Sequence, residues 1–519
     1  FTVTDSASQY FSEMMAREGA MPTNPTVIRI GKARVVARDP PRSIPPGDRW
    51  PVRFLEHTDI NVLYKNIPSN KRILAGFLRG GNSWIPVYYH ADFLLGPEAA
   101  HVNISGKTGL AVKTSYGVFL SYTVLTWAKN REEPTAVIML NVKRGDLMRL
   151  HKLPSRMEDA QNEIKEWAER VGLSNKADIY VKLWKFTYEK EKVDPFSINI
   201  KYFTYTTDPF LKLLEGAEQQ FYSYGLEDLQ IDEVIAALYR PEETVPETQV
   251  NLIHSYIEEA RRSRLPLTFE TMLQHMTNYS QFDVSDILDA ISTPPQRRNR
   301  RQSRIISRWG STPILDNWHK ATAGAVARRL RGFLDRATHI IVRNAAKGNP
   351  IKFSAIEPHK IHVVQLYGLA DAEKRIVVNA LLREVSNGLA SQEEGNERIK
   401  RILFLIDELN LYAPKIASPI KERIIDISAR GRDLRLSLIG IQQFASQIDT
   451  QVYGNCATKI VGNSDIVEVQ STAYNYLGAF KDTVTLLDKG ELITYHPTYT
   501  SPMPIIFPVP LHQVTKNAK

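Results

Sequence analysis

Short runs of alternating apolar and polar residues dominate the first part of the chain. TVIRIGKARVVARD, WPVRFLEH, KRILAGFLRG and SWIPVYYHADFLLG follow one another between residues 26 and 95, separated by Gly, Pro and Asn. Alternation with period two marks strands that bury one face. Residues 1–95 are therefore expected to form a small antiparallel β unit of barrel type. Beyond it the pattern changes. AVIMLNVK (136–143), HKIHVVQLYGL (359–369), RILFLIDEL (401–409), LSLIGIQQF (436–444) and ATKIVGN (457–463) are almost continuously apolar, as in strands covered on both faces. Helical segments such as EKRIVVNALLREV lie between them, and the alternation predicts an α/β fold with a mostly parallel sheet.

From about 205 to 350 the apolar spacing is helical, in FLKLLEGAEQQF, IDEVIAALYR, QVNLIHSYIEEARRSR, FETMLQHM and VARRLRGFLDRA. This reads as a helical insertion that divides the α/β core into residues 96–204 and 351–519. SNGLASQEEGNER (386–398) reads as a flexible loop, and the tail YHPTYTSPMPIIFPVPLHQV is too rich in proline for a helix and predicts an extended arm.

Composition narrows the class. With 519 residues, 43% hydrophobic and 24% charged, the chain reads as a globular protein of several domains. Its single cysteine, Cys456, excludes an intramolecular disulfide and a zinc finger. No apolar run approaches the roughly 18 residues of a membrane helix and no leader is visible, so the expectation is a cytoplasmic protein without a membrane partner. The net charge of +9 is local. From 297 to 347 thirteen Lys or Arg face two acids, a window of +11, which leaves about −2 for the remainder. RRNRRQSRIISR, with Arg297, Arg298, Arg300 and Arg301, opens that window. Concentrated positive charge is the footprint of a polyanion; a solvated face that pairs with acids on a neighbouring subunit is the alternative.

The chemistry begins in HVNISGKTGLAVKTSYGVFL (101–120). A phosphate cradle has the form G-x-x-x-x-G-K-[ST], in which backbone N–H groups and a helix start hold phosphate oxygens, the lysine neutralises charge and the hydroxyl ligates magnesium. Here Gly106 precedes Lys113 by seven positions instead of six, and Val112 stands where the second glycine belongs. Alone, the stretch reads equally well as a strand-to-helix turn containing glycines. RILFLIDEL weighs for the cradle, because its buried strand ends in Asp407 and Glu408. Asp407 suits magnesium through its water shell, and Glu408 the attacking water. In DISARGRDLRLSLIG (426–440), Arg430 and Arg432 read as a turn before a strand, from which an arginine can reach a neighbouring subunit's γ-phosphate. That strand ends in Gln442 and Gln443, whose amides could sense the γ-phosphate. No metal-nuclease constellation is evident; Glu163-Ile-Lys165 lies in a helical stretch with a solvated charged face.

FLLGPEAAHVNISGKTGLAVKTSY, RILFLIDELNLYAP, ISARGRDLRLSLIGIQQFASQID and NCATKIVGN, taken in order, resemble the HerA–FtsK branch of the RecA-like P-loop ATPases, and more closely the HerA-like proteins. The resemblance covers roughly residues 26–145 and 355–510 and implies an N-terminal barrel, a RecA-like core, ATP and Mg2+. Residue by residue it assigns Gly106, Thr108, Gly109, Lys113 and Thr114 to the nucleotide loop, with Thr114 and Asp407 on magnesium. Asp407 and Glu408 match the acidic pair, Gln443 the strand-end glutamine, and Arg430 and Arg432 the arginine motif, with Arg432 preferred as the trans-acting finger. It also implies a homo-hexameric ring that translocates double-stranded DNA with a separate nuclease or NADase-type effector, as in anti-phage defence. The lengthened loop departs from the pattern and points to an alternative, a ring that binds ATP to assemble or gate an effector without processive movement. A third reading is an α/β protein outside this family that binds nucleotide incidentally. The helical insertion matches nothing in the family.

Overall fold

The computed structural model describes residues 59–80, 83–107, 113–145, 147–170, 172–240, 243–315, 318–415, 419–509 and 511–513. The apolar runs become strands of one sheet. In chain order these are β1 (Arg72–Gly80), β2 (Ser83–His90), β3 (Val102–Ser105), β4 (Thr135–Asn141), β5 (Asn199–Thr204), β6 (Glu218–Phe221), β7 (Lys360–Gln365), β8 (Arg401–Asp407), β9 (Leu436–Gln442), β10 (Thr458–Val461), β11 (Glu491–Tyr495) and β12 (Met503–Ile506). Across the 12-stranded sheet they lie in the order β2-β1-β12-β11-β10-β3-β9-β8-β4-β7-β5-β6. From β10 to β6 every neighbouring pair is parallel, whereas β11, β12, β1 and β2 extend the sheet antiparallel. β9 lies between β3, which leads into the glycine turn, and β8, which carries the acids. The expected α/β fold with a mostly parallel sheet is thus present.

The longer helices are α1 (Lys113–Lys129), α2 (Met157–Arg170), α3 (Ala177–Glu189), α4 (Ile231–Leu238), α5 (Glu247–Arg262), α6 (Phe269–Gln281), α7 (Val284–Ser292), α8 (Arg300–Trp309), α9 (Lys320–Arg336), α10 (Asp371–Ala390) and α11 (Pro419–Leu434). Because strand side chains alternate between faces, each central strand feeds two cores. Val137 and Met139 of β4 pack with Tyr116 and Phe119 of α1 and with Trp184 of α3 on one face. Ala136, Ile138 and Leu140 join α10 and the helices of the insertion on the other. All seven residues of β4 and all seven of β9 are buried, which is why these strands read as unbroken apolar runs.

Several expectations change. The β unit is described only from residue 59 onward, where β1 and β2 form a hairpin joined to the main sheet through β12; its earlier part lies outside the described residues. The proline-rich tail is extended but is not a free arm, since β12 pairs with both β11 and β1. Residues 386–390 of the expected loop are the last turn of α10, held there by buried Val385 and Leu389. Arg430 and Arg432 stand in α11 and not in a turn. The segment expected to be helical from about 205 contributes an edge strand, β6, before the first helix of the bundle begins at Ile231. Among the described residues, no helix is long and apolar enough to cross a membrane.

Candidate functional site

The site is assembled at the C-terminal ends of parallel strands. Past β3 the chain turns at Gly106, with φ 147°, where a Cβ would sit 3.2 Å from the Asn463 carbonyl oxygen; glycine fits both conditions. The Lys107 N–H donates to that carbonyl at 2.7 Å, tying the start of the loop to the segment after β10. Thr108 and Gly109 lie outside the described residues.

Lys113 and Thr114 open α1. Lys113 is 5% exposed, and its ammonium has no hydrogen-bond partner among the described residues. Burial, reinforced by repulsion from Lys143, brings its pKa down to about 8 against the pull of Asp407 and Glu408. A buried, unpaired cation at the start of a helix is a receptor for an anion, because the first N–H groups and the helix dipole add to its field.

Opposite it, Asp407 ends β8 and is buried. Its Oδ2 accepts a hydrogen bond from Thr114 Oγ1 at 3.0 Å. Consecutive strand residues point to opposite faces, so adjacent acids would ordinarily separate. Glu408 escapes that alternation by leaving the strand with φ 58° and ψ 46°, a left-handed conformation that is costly for a non-glycine residue and is common at functional sites. Its N–H donates to Asp407 Oδ1 at 2.9 Å. Both carboxylates then meet one cation: Lys143 Nζ lies 3.0 Å from Asp407 Oδ1 and 2.8 Å from Glu408 Oε1. Burial works against the charge of Lys143, but the two acids outweigh it and hold its pKa above the ordinary lysine range.

Lys143 was not among the residues singled out from the sequence. The only trace was that the apolar run AVIMLNVK ends in this lysine, and its meaning depends on β4 lying beside β8, which sequence spacing does not reveal.

Gln442, the last residue of β9, donates from Nε2 to Asn103 Oδ1 at 2.7 Å and so ties β9 to β3. Gln443 follows it and borders a cleft of about 570 Å³ together with Lys107, Phe444, Gln447, Asp465 and Glu468. Arg430 is exposed on α11 and donates from Nε to Asp426 at 2.6 Å, one helical turn away. Among the described residues, no group of three or more His, Cys, Asp or Glu is placed to hold a metal.

The basic window lies on the insertion. Asn299 caps α8, its side chain accepting from the Gln302 N–H, and Ile305 and Trp309 form the buried face of that helix. Arg301 is committed to Asp286, 3.0 Å away, and Arg298 to the Thr293 carbonyl at 2.9 Å. Arg297, Arg300, Arg304 and Arg308 are exposed. The last three are spaced by four and form a stripe along one side of the helix. Arg329 of α9 is paired with Glu243 at 2.6 Å and sits over the Tyr239 ring.

No protein-family model matches the chain, and no curated relative matches it. Among solved structures it is similar to the bacterial conjugative coupling protein TrwBdeltaN70, with 10% identity and a TM-score of 0.47 over 90% of this chain and 96% of that one. It is also similar to VirB4 of Thermoanaerobacter pseudethanolicus, with 13% identity and a TM-score of 0.46 over 86% of this chain and 100% of that one. The genome packaging NTPase B204 from Sulfolobus turreted icosahedral virus 2, in complex with ATP-gammaS, is 12% identical with a TM-score of 0.22 over 29% of this chain and 68% of that one.

Proposed function

We propose that the chain is a P-loop ATP hydrolase of the HerA–FtsK type, acting as a homo-hexameric ring on double-stranded DNA with a separate nuclease or NADase-type effector. One observation carries the reading. A buried ammonium without a partner among the described residues, Lys113, starts the helix whose next residue, Thr114, bonds the first of two acids at the end of β8. An unpaired buried charge is costly, and phosphate oxygens would offset that cost.

The residues fit ATP with Mg2+. The hydroxyl of Thr114 and the carboxylate of Asp407 are the hard oxygen donors that magnesium takes, with Asp407 acting through water. When bound, magnesium neutralises phosphate charge. Lys113 holds the β- and γ-phosphates, and the backbone around Gly106, Thr108 and Gly109 supplies N–H donors. Glu408 orients and polarises the attacking water. Gln443 reports on the γ-phosphate. Arg432, or failing it Arg430 once released from Asp426, reaches the phosphate held by the next subunit. Arg297 and Arg300, with Arg298 and Arg301 beside them, contact DNA phosphates.

The test is a pair of variants read by two assays. Lys113→Ala is expected to weaken nucleotide binding, whereas Glu408→Gln is expected to bind normally and lose turnover, since only water activation is removed. Normal turnover in the Glu408 variant would remove the assignment. Mixing an inactive Arg432→Ala chain with the Glu408→Gln chain is expected to restore partial activity, because some mixed interfaces carry two good halves; no recovery would argue against a finger in trans. The lengthened loop, with Val112 in the place of a glycine, favours a second reading: a ring that binds ATP and gates an effector. That reading predicts turnover unchanged by duplex DNA, and the first predicts stimulation.

A further inference from the structure

Lys143 is the charged member of the site to which the chemistry above gives no task. It leaves β4 two residues after Asn141, whose amide donates at 2.7 Å both to the Arg144 carbonyl and to Gln365 Oε1 on neighbouring β7. The segment carrying Lys143 is thereby clasped to the polar end of the sheet. From that anchorage the ammonium spans Asp407 Oδ1 and Glu408 Oε1, while Thr114 holds the other Asp407 oxygen. A single positive charge therefore bridges two carboxylates beside the hydroxyl that would share magnesium with Asp407. The Asp407 side chain is 4% exposed and that of Lys143 is 34% exposed. Of the two, the lysine, on a long stem reaching solvent, is free to move.

We propose that Lys143 is a positioning residue: a resident countercation that holds Asp407 and Glu408 together before nucleotide arrives and yields Asp407 to the divalent cation that accompanies it. The proposal rests on the nucleotide reading above. Lys143 offsets the repulsion between two adjacent acids in the nucleotide-free protein, and it competes with a divalent ion that arrives alone. It also keeps Glu408 engaged until a metal–nucleotide complex relieves it, so that water activation waits for substrate. A lysine serving only to brace the strand end would have none of these consequences for metal binding.

The experiment compares the whole chain with Lys143→Met, Lys143→Gln and Lys143→Arg. Mn2+ is titrated by electron paramagnetic resonance, first alone and then with a non-hydrolysable ATP analogue. In the absence of nucleotide, the Met and Gln variants are expected to bind Mn2+ about threefold more tightly than the parent, the equilibrium equivalent of losing a competing, partly exposed ion pair. The Arg variant is expected to behave like the parent. The melting temperature of the two uncharged variants should fall without ligand and match the parent in the Mg2+–analogue complex. Unchanged or weaker Mn2+ binding in both uncharged variants would overturn the proposal. So would tightening in the Arg variant equal to theirs, since space and not charge would then be the cause. If the parent fails to bind the analogue at all, the nucleotide reading fails, and Mn2+ binding without nucleotide still decides the role of Lys143.

Discussion

Gly431 has no room for a side chain. A Cβ there would lie 2.4 Å from the Leu436 carbonyl oxygen and 2.6 Å from His101 Cε1. His101 is buried at the entry to β3, and its Nδ1 accepts a hydrogen bond from the Leu438 N–H of β9 at 3.0 Å. The glycine between two arginines is therefore a packing requirement of α11 against β3 and its neighbour β9. Helix propensity alone would have Gly431→Ala stabilise the protein by about 1 kcal/mol. The close approach predicts the reverse, a loss of about 1–3 kcal/mol as backbone and imidazole are pushed apart, measurable by denaturant unfolding. An alanine variant as stable as the parent would show that the helix can retreat at no cost. At this scale the chain was legible wherever a motif is local. Lys113 and Thr114 are adjacent, as are Asp407 and Glu408, and the Thr114–Asp407 hydrogen bond brings the two pairs together. Lys143 was not legible, because its role is created by a neighbour some 260 positions away in sequence, at Asp407.

Among the elements, the buried strands were the clearest, since a parallel strand covered on both faces has to be apolar throughout. α11 reads as a turn because ARGRD has a glycine and three charges among its five residues; its core-facing residues Ile420, Ile424, Ile427 and Gly431 nevertheless recur at spacings of four, three and four, the helical repeat. β12 was missed because prolines argue against a strand, yet Met503 and Ile505 are buried on either side of exposed Pro504, which is strand alternation. The insertion is fastened to the core by charge as well as by apolar packing. Glu233 of α4 is fully buried and takes Arg383 of α10 in two hydrogen bonds, of 2.7 and 3.1 Å. Arg423 of α11 stands 4.0 Å from Glu233 and is committed to Asp232 at 2.9 Å. Arg383→Met should therefore strand a buried carboxylate and cost about 3–5 kcal/mol. The double variant with Glu233→Leu should recover part of the loss, the remainder reflecting the Gln230 N–H that Glu233 also caps at 2.9 Å. Thermal melts of the parent, the single and the double variant decide this; a double variant no more stable than the single would mean that packing, and not the unpaired charge, is at fault.

For the molecule as a whole, the informative quantity is where the charge sits. The helices of the insertion share one apolar cluster with the sheet, so the basic window is carried on a part of the fold packed against the α/β core. Locating the +11 in one window was possible from sequence, but the arginines free to act could not be separated from those already engaged. Arg301 and Arg298 have partners within the protein, whereas Arg300, Arg304 and Arg308 project from α8 at helical repeat. If each of these three meets a phosphate, log affinity for duplex DNA falls against log salt with a slope to which they contribute about 2.7, at roughly 0.9 per contact. Replacing all three with alanine should flatten the slope by that amount and weaken binding about equally on unrelated sequences, since phosphate contacts position a duplex without reading it. Arg301→Ala serves as the contrast, because a guanidinium already paired with Asp286 releases fewer counterions and should change the slope less. α8 keeps its Asn299 cap and its buried Ile305 and Trp309 in the triple variant, so the fold should survive and circular dichroism can verify it. An unchanged slope in a folded triple variant would move the polyanion contact off α8, leaving the exposed Arg328, Arg331 and Arg336 of α9 as the next surface to test by the same salt titration.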